Sequence, residues 1–288
     1  MQLANGVAEG AFGGCEAKMW RTMWKDKSTA AAAKAALAQF EGVYTASLAA
    51  GESYGGGYLS LAVGKTGDVK ATGRLADGTS VSAASPLAYD EDAGWFAMLY
   101  AAPSAYKGGA FALGVCFDVG ETIALTNAFG ISQWTSRDPQ ATGVYGAGFS
   151  RAVSLAGAYY DKSQSLGAYY DALRFSAESP ALNGQPPLND GETVDVAVDG
   201  KGRAVPGKTD GALSLSFTQA TGVFKGGYTF VFGAKAKKKV SFEGIVVQGA
   251  DAMSGFYLWD AAGSYADPKT GREKTYKYKE SHSVLLQK

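Results

Sequence analysis

YLSLAVGKTGDVKATGRLADGTSVSAA, residues 58–84, alternates apolar and polar side chains through three runs and interrupts them with two turns. Tyr58 to Val63 and Val69 to Leu75 have the period of two that places one apolar face on a core. Thr66-Gly67-Asp68 and Asp77-Gly78 between them are turn sequences, the second a strong hairpin signal because Gly accepts the positive φ a tight turn needs. Three strands joined by tight turns make an antiparallel meander, and the pattern spreads in both directions. Upstream, Val43 to Leu48 alternates and Gly51 to Gly57 turns the chain. Downstream, Trp95 to Tyr100 and Gly109 to Phe117 read as apolar strands. Strands recurring every ~8–12 residues belong to sandwiches and barrels.

One segment breaks the pattern. Ser28 to Phe40 is alanine-rich, with Ser28 placed as an N-cap, Leu37 and Phe40 as docking residues and Gly42 just past the end, which predicts one short helix. Before it, Met19-Trp20 and Met23-Trp24 form either a helical turn or an irregular apolar strap that packs on the body.

The meander is written twice. Leu59-Ser60-Leu61 matches Leu213-Ser214-Leu215, Thr66-Gly67-Asp68-Val69-Lys70 matches Thr221-Gly222-Val223-Phe224-Lys225, Val81-Ser82 matches Val240-Ser241, and Gly94-Trp95-Phe96 matches Gly255-Phe256-Tyr257. Between the copies lie a less regular middle with a strand expected over 144–153, two Gly-Ala-Tyr-Tyr-Asp pentads at 157–161 and 167–171, and a loop or lobe boundary over 182–191. The expected fold is all-β: two pseudo-repeated antiparallel meander units forming sandwich- or barrel-like lobes, with one short N-terminal helix. The organisation reads as 1–41 for a strap and helix, 42–178 for the first β unit and 179–288 for the second, as separate lobes or one continuous domain.

Composition narrows the function. Gly stands at 39 of 288 residues, against roughly 20 at ~7% usage, in keeping with many tight turns. Lys and Arg total 27 and so do Asp and Glu, so no basic excess marks a nucleic-acid binder. No run of ~20 apolar residues is present to span a membrane as a helix. The N-terminus, Met1 to Gly6, lacks the charged-then-apolar order of a signal peptide.

The repeat carries a resemblance. Leu213-Ser214-Leu215, Thr221 to Gly226, Lys239 to Gln248, Gly255-Phe256-Tyr257 and Ser283 to Leu286, with Gly148-Phe149-Ser150 and Leu166 to Tyr170 upstream, resemble repeated β modules of very large secreted or surface proteins of environmental and gut bacteria. The resemblance spans roughly residues 40–288 and lies in the rhythm of strands and turns. It implies an extracellular or cell-surface, non-catalytic module. The repeat, the missing catalytic residues and the Gly-, Tyr- and Thr-rich strands make adhesion, scaffolding or interaction the expected function, with a polysaccharide or another surface protein as partner and no cofactor.

Residue by residue, catalytic chemistry finds little footing. His282 is the one histidine and sits between serines near the C-terminus, where an exposed strand position is expected. No nucleophile elbow or phosphate-cradling glycine loop is present. An all-β glycosidase needs only two carboxylates, so the place of each acid matters. Most fall in turns. Glu243 is the exception, within a strand, and reads as solvent-facing. Asp90-Glu91-Asp92 reads as a solvated turn, lacking the spacing of a calcium loop. Cys15 and Cys116 are either one disulfide or two buried thiols, and no metal site is expected. Lys235, Lys237, Lys238 and Lys239 cluster at a hairpin, as a charged turn or a contact to an acidic glycan or anionic surface. The remaining candidates are aromatic: Trp134, Tyr159, Tyr160, Tyr169, Tyr170 and Trp259, rings that would stack on sugars if exposed. The Tyr-Tyr pairs are expected to put one ring on each face. These rings underlie the alternative of a carbohydrate-binding module, with hydrolysis by paired acids a weaker third.

Overall fold

Alternating sequence over residues 42–159 curls into a ring. A computed structural model describes residues 2–4, 7–12, 15–20, 25, 27–51, 55–137, 148–266 and 270–288. The N-terminus forms a three-stranded antiparallel sheet, β1 (Gln2–Ala4), β2 (Val7–Phe12) and β3 (Cys15–Trp20), followed by helix α1 (Ala30–Leu37). A first large sheet follows: β4 (Gly42–Ala49), β5 (Gly57–Val63), β6 (Asp68–Arg74), β7 (Ser80–Pro86), β8 (Ala88–Asp90), β9 (Gly94–Ala101), β10 (Phe111–Val119), β11 (Ile123–Ser136), β12 (Phe149–Ala152) and β13 (Ser154–Tyr159). Its order is β7-β6-β5-β4-β13-β11-β10-β9-β8, with β12 on β11. The Met98 N–H donates to Ser85 Oγ at 3.2 Å, which brings β9 back beside β7 and nearly closes the sheet into an up-and-down barrel.

The second sheet has eight strands: β14 (Ala172–Ala177), β15 (Thr193–Val198), β16 (Ala204–Pro206), β17 (Leu213–Thr218), β18 (Val223–Val231), β19 (Lys237–Ile245), β20 (Ala252–Ala266) and β21 (Glu273–Gln287). They run β16-β15-β14-β21-β20-β19-β18-β17, with β16 and β17 side by side. This is again a nearly closed meander whose first and last strands are neighbours. The all-β expectation with barrel-like lobes holds.

Each ring is filled by its own inward side chains. The first holds Tyr44, Leu59, Leu61, Val69, Leu99, Phe111, Phe117 and Trp134, with Leu37 and Phe40 of the helical segment inserted among them. The helix begins at Ala30 with Thr29 at the N-cap, one residue past Ser28. The second holds Phe175, Val196, Phe224, Tyr228, Phe230, Phe242, Tyr257, Trp259 and Leu286. The middle departs from expectation. The seam between rings falls between Tyr159 and Ala172, a few residues ahead of 178/179. The proline-rich loop at 182–191 lies inside the second ring, where Asn189 is buried. Of the strand expected over 144–153, residues 144–147 lie outside the described residues.

The rings touch through outward faces. Tyr58, Ile245, Val247 and Phe256 form a shared apolar cluster. The Gly56 N–H donates to the Gly255 carbonyl at 3.0 Å, and Ser281 Oγ–H donates to the Ala76 carbonyl at 2.6 Å. Gly55 makes this approach available: a Cβ there would lie 2.3 Å from Phe256 Cβ and 2.7 Å from the His282 carbonyl.

Candidate functional site

Four of the six candidate rings are core. Trp134, Tyr160, Tyr170 and Trp259 are buried, so no sugar reaches their faces. Alternation along a barrel strand sends every second side chain inward, and a large ring is what fills the interior. The Tyr160 hydroxyl donates to the Gln219 carbonyl at 2.9 Å; that of Tyr170 donates to the carbonyls of Val247 and Ala250, both at 3.0 Å. Burial pushes the Tyr170 phenol up to about 12. The second member of each pair reaches solvent, Tyr159 at 39% exposure and Tyr169 in part. The one-in, one-out reading of the tyrosine pairs is what the structure has, although the second pair follows a 3₁₀ turn and not a strand.

The acids are structural. Asp90 was expected in a solvated turn, but its side chain is 3% exposed. It accepts Lys18 Nζ at 2.7 Å and Trp20 Nε1–H at 3.0 Å, and the Asp92 N–H at 3.1 Å. Lys18 first, then Trp20 and the backbone donors, hold this carboxyl down at about 2 despite its burial. Trp20 lies edge-on to Phe96 at 4.8 Å and beside Phe129 at 5.5 Å. Asp90 therefore anchors the N-terminal sheet to the first ring. Met23 and Trp24, the other apolar pair of the strap, lie outside the described residues.

Glu243 was expected to face solvent, and its side chain is only 13% exposed. Alternation does turn it out of its own ring, but the first ring covers it. Tyr58 O–H donates to Oε2 at 3.1 Å, Arg74 Nη1 lies 3.1 Å from Oε1 and Lys225 Nζ lies 3.5 Å from Oε2. Burial, with the Glu243 charge beside it, raises the Tyr58 phenol. Glu192 is held in the same manner by Thr209 Oγ1 at 2.6 Å, the Asp210 N–H at 2.8 Å, Asn189 Nδ2 at 3.1 Å and the Tyr228 hydroxyl. Burial acts to raise its pKa; these donors outweigh it and leave it below the ordinary range.

His282 is not an exposed terminal residue. It points inward at the second ring, 12% exposed, with its imidazole stacked on Tyr257 at 5.0 Å and 14°. Glu178 Oε1 lies 3.6 Å from Nδ1 and Glu280 Oε2 3.5 Å from Nε2. The neighbouring hydroxyls are engaged elsewhere, Ser281 on Ala76 and Ser283 on Glu178 at 3.3 Å. Cys116 is a buried free thiol that donates to the Ala93 carbonyl at 3.1 Å; the side chain of Cys15 lies outside the described residues. Among the described residues no group of three or more His, Cys, Asp and Glu is placed to hold a metal ion.

What is left accessible lies outside the rings. An open depression of about 600 Å³ beside the first ring is lined by Asn127, Ser132, Ser150 and Arg151, but Asn127 and Ser132 spend their side chains on the Val153 and Leu155 backbone. The larger feature is a ribbon. Beyond Tyr257, β19 no longer pairs with β20, while β20 and β21 remain paired out to Ala266 and Glu273. The seven residue pairs beyond the buried Trp259, from Asp260–Lys279 to Ala266–Glu273, at ~3.4 Å per residue make an arm about 24 Å long. Tyr276 and Tyr278, 5.7 Å apart, lie on one face, and the ring of Tyr276 sits where a side chain at Gly263 would be. At the root Lys238 Nζ rests 3.8 Å over the Trp259 ring, binding the lysine hairpin to the ribbon. Sequence reading missed this arm. Its signal is the polar run Glu273–Lys279, in which Tyr276 and Tyr278 alternate with Thr and Lys, together with the small-residue run Asp260–Ala266, neither of which carries an aliphatic core face. Neither a protein-family model, nor a curated protein, nor a solved structure matches this chain.

Proposed function

We propose that the chain is a non-catalytic module of a secreted or surface-exposed bacterial protein, acting by adhesion, scaffolding or interaction with another macromolecule. The observation that supports this reading most is the occupancy of both interiors. Barrels that carry a small molecule in their interior keep a cavity there, whereas both rings here are filled with packed rings and aliphatic side chains. The buried Asp90 and the half-buried Glu192 and Glu243 each hold fixed donors, so none is left with the freedom of a general base. The external arm and its lysines are the surface available to a partner. The extracellular setting rests on the resemblance in strand rhythm.

A second reading, carbohydrate binding through exposed rings, is favoured by the Tyr276–Tyr278 pair on the arm and by Tyr159, though not by the four rings in the cores. A panel of immobilised polysaccharides, neutral and acidic, tests both. Retention of the purified chain with no release of reducing ends is the expected result. Steady release of reducing ends from any member overturns the non-catalytic reading.

A further inference from the structure

Strand register collects the unneutralised cations of the second ring on one face. Phe256 faces the first ring, so by alternation Leu258, Asp260 and Ala262 of β20 share its face, and with them their partners Ser281, Lys279 and Lys277 of β21. Glu243 faces the first ring from β19, and Lys239 and Lys237 follow it at two-residue steps on the same side. Arg74 from the first ring and Lys225 of β18 complete the row. The face thus carries six cations against three carboxylates, Glu243, Asp260 and, at the tip of the ribbon, Glu273, in a chain whose formal net charge is zero. Glu243 is taken by Arg74 and Lys225, and Asp260 by Lys279 at 2.5 Å. Among the described residues Lys237, Lys239 and Lys277 hold no ion pair, although the charge of Lys277 helps lower the Asp260 carboxyl, and all three are exposed. Uncompensated like charges gathered on one face cost free energy and are relieved by a partner of opposite sign.

We propose that this row is the docking site for an extended acidic polysaccharide. The inference rests on the reading of the chain as a non-catalytic binding module. Three features of the face select the occupant. Its aromatic neighbours Tyr276, Tyr278 and Trp259 are on the opposite side of the ribbon, so single-stranded nucleic acid finds no stacking platform. Past Leu258, which abuts Gly78, the face carries Asp260, Ala262, Ser264 and Thr275 and no large apolar side chain to enter a bilayer. Its free cations are all lysines, which are point charges suited to a flexible polyanion and without the planar fork that arginine offers phosphate. Two rows of lysine at ~6.7 Å steps give such a polymer a linear track.

The test uses the full chain, polygalacturonate and dextran sulfate as probes, and the triple variant Lys237→Gln, Lys239→Gln, Lys277→Gln. None of the three side chains is an ion-pair partner, so the fold is retained, and circular dichroism confirms it; the matching Lys→Arg triple keeps the charge. Wild-type protein is expected to bind one or both acidic glycans at about 50 mM salt, with affinity falling as salt rises and at least about tenfold weaker in the Gln triple, restored in the Arg triple. Equal binding by wild type and the Gln triple overturns the site. So does tighter binding to oligo-dT or to phosphatidylserine vesicles than to either glycan, and so does binding confined to neutral dextran, which leaves the module reading standing. Reducing-end release is read separately from affinity, so a catalytic chain is recognised whatever the lysine variants do.

Discussion

Glu243 shows how much one side chain's environment depends on the other ring. Its strand position was readable from alternation, and its outward direction followed from that. The covering surface did not, because Tyr58 and Arg74 lie far away in sequence and nothing local announces their approach. Removing the carboxylate strands Arg74 and the Tyr58 hydroxyl in a partly closed interface. Glu243→Ala is expected to lower stability by about 1–3 kcal/mol, the cost of leaving such partners unmatched, and to do so through the urea midpoint with the slope unchanged. Arg74→Ala, at a more exposed partner, is expected to cost less. Asp90 gives a different readout. Its folded carboxyl titrates at about 2, below the ordinary ~3.9, so its contribution is complete above pH ~4 and disappears as the pH falls through about 2. Tryptophan fluorescence, compared between the wild type and Trp20→Phe, is expected to report release of the N-terminal sheet in that window. An unchanged Trp20 signal down to pH 2 would contradict the anchoring role.

Elements with a local cause were legible. The alanine run makes a helix by propensity alone, and the hairpins at Asp77-Gly78 and Asp199 to Gly202 form because Gly takes positive φ at each. Elements defined by neighbours were not. β14 was assigned to the first unit because the tyrosine pentads and the proline-rich loop look like a boundary; it belongs to the second because β15 and β21 flank it. Phe129 was not singled out, yet pairing of β10 with β11 jumps from Ser132 to Asn127, and the bulge this leaves holds Phe129 at φ 55 with its ring 4.7 Å from Phe96. The helix contributes through what it inserts. Leu37→Ala would open a void beside Gly67 in the first core, and a loss of about 2–4 kcal/mol is expected. Calorimetry measures it; a shift below ~1 kcal/mol would mean that α1 lies on the ring without sealing it.

At the scale of the molecule, the duplication takes a form the matched segments alone did not reveal. They fall on the second, third, fourth and sixth strands of the first ring (β5, β6, β7, β9) and on the fourth to seventh of the second (β17, β18, β19, β20). In both rings the first strand pairs with the last, so the matched runs lie at different distances from that closure. Why six candidate rings yielded only two at the surface follows from the same geometry, since the sequence shows period two but not which parity faces inward until the ring closes. The adjacency of first and last strands has a mechanical corollary. Tyr44 is opposite Tyr159, and Arg174 is opposite Gln287, so each ring is entered and left at one end of a single antiparallel pair. Tension along the polypeptide therefore loads the hydrogen bonds of that pair one after another, like a zip, and not all together in shear. Stretched in an optical trap, each ring should part at its β4–β13 or β14–β21 contact at modest force. The module would then yield early under load, serving as an extensible spacer in a longer chain more readily than as a rigid tether.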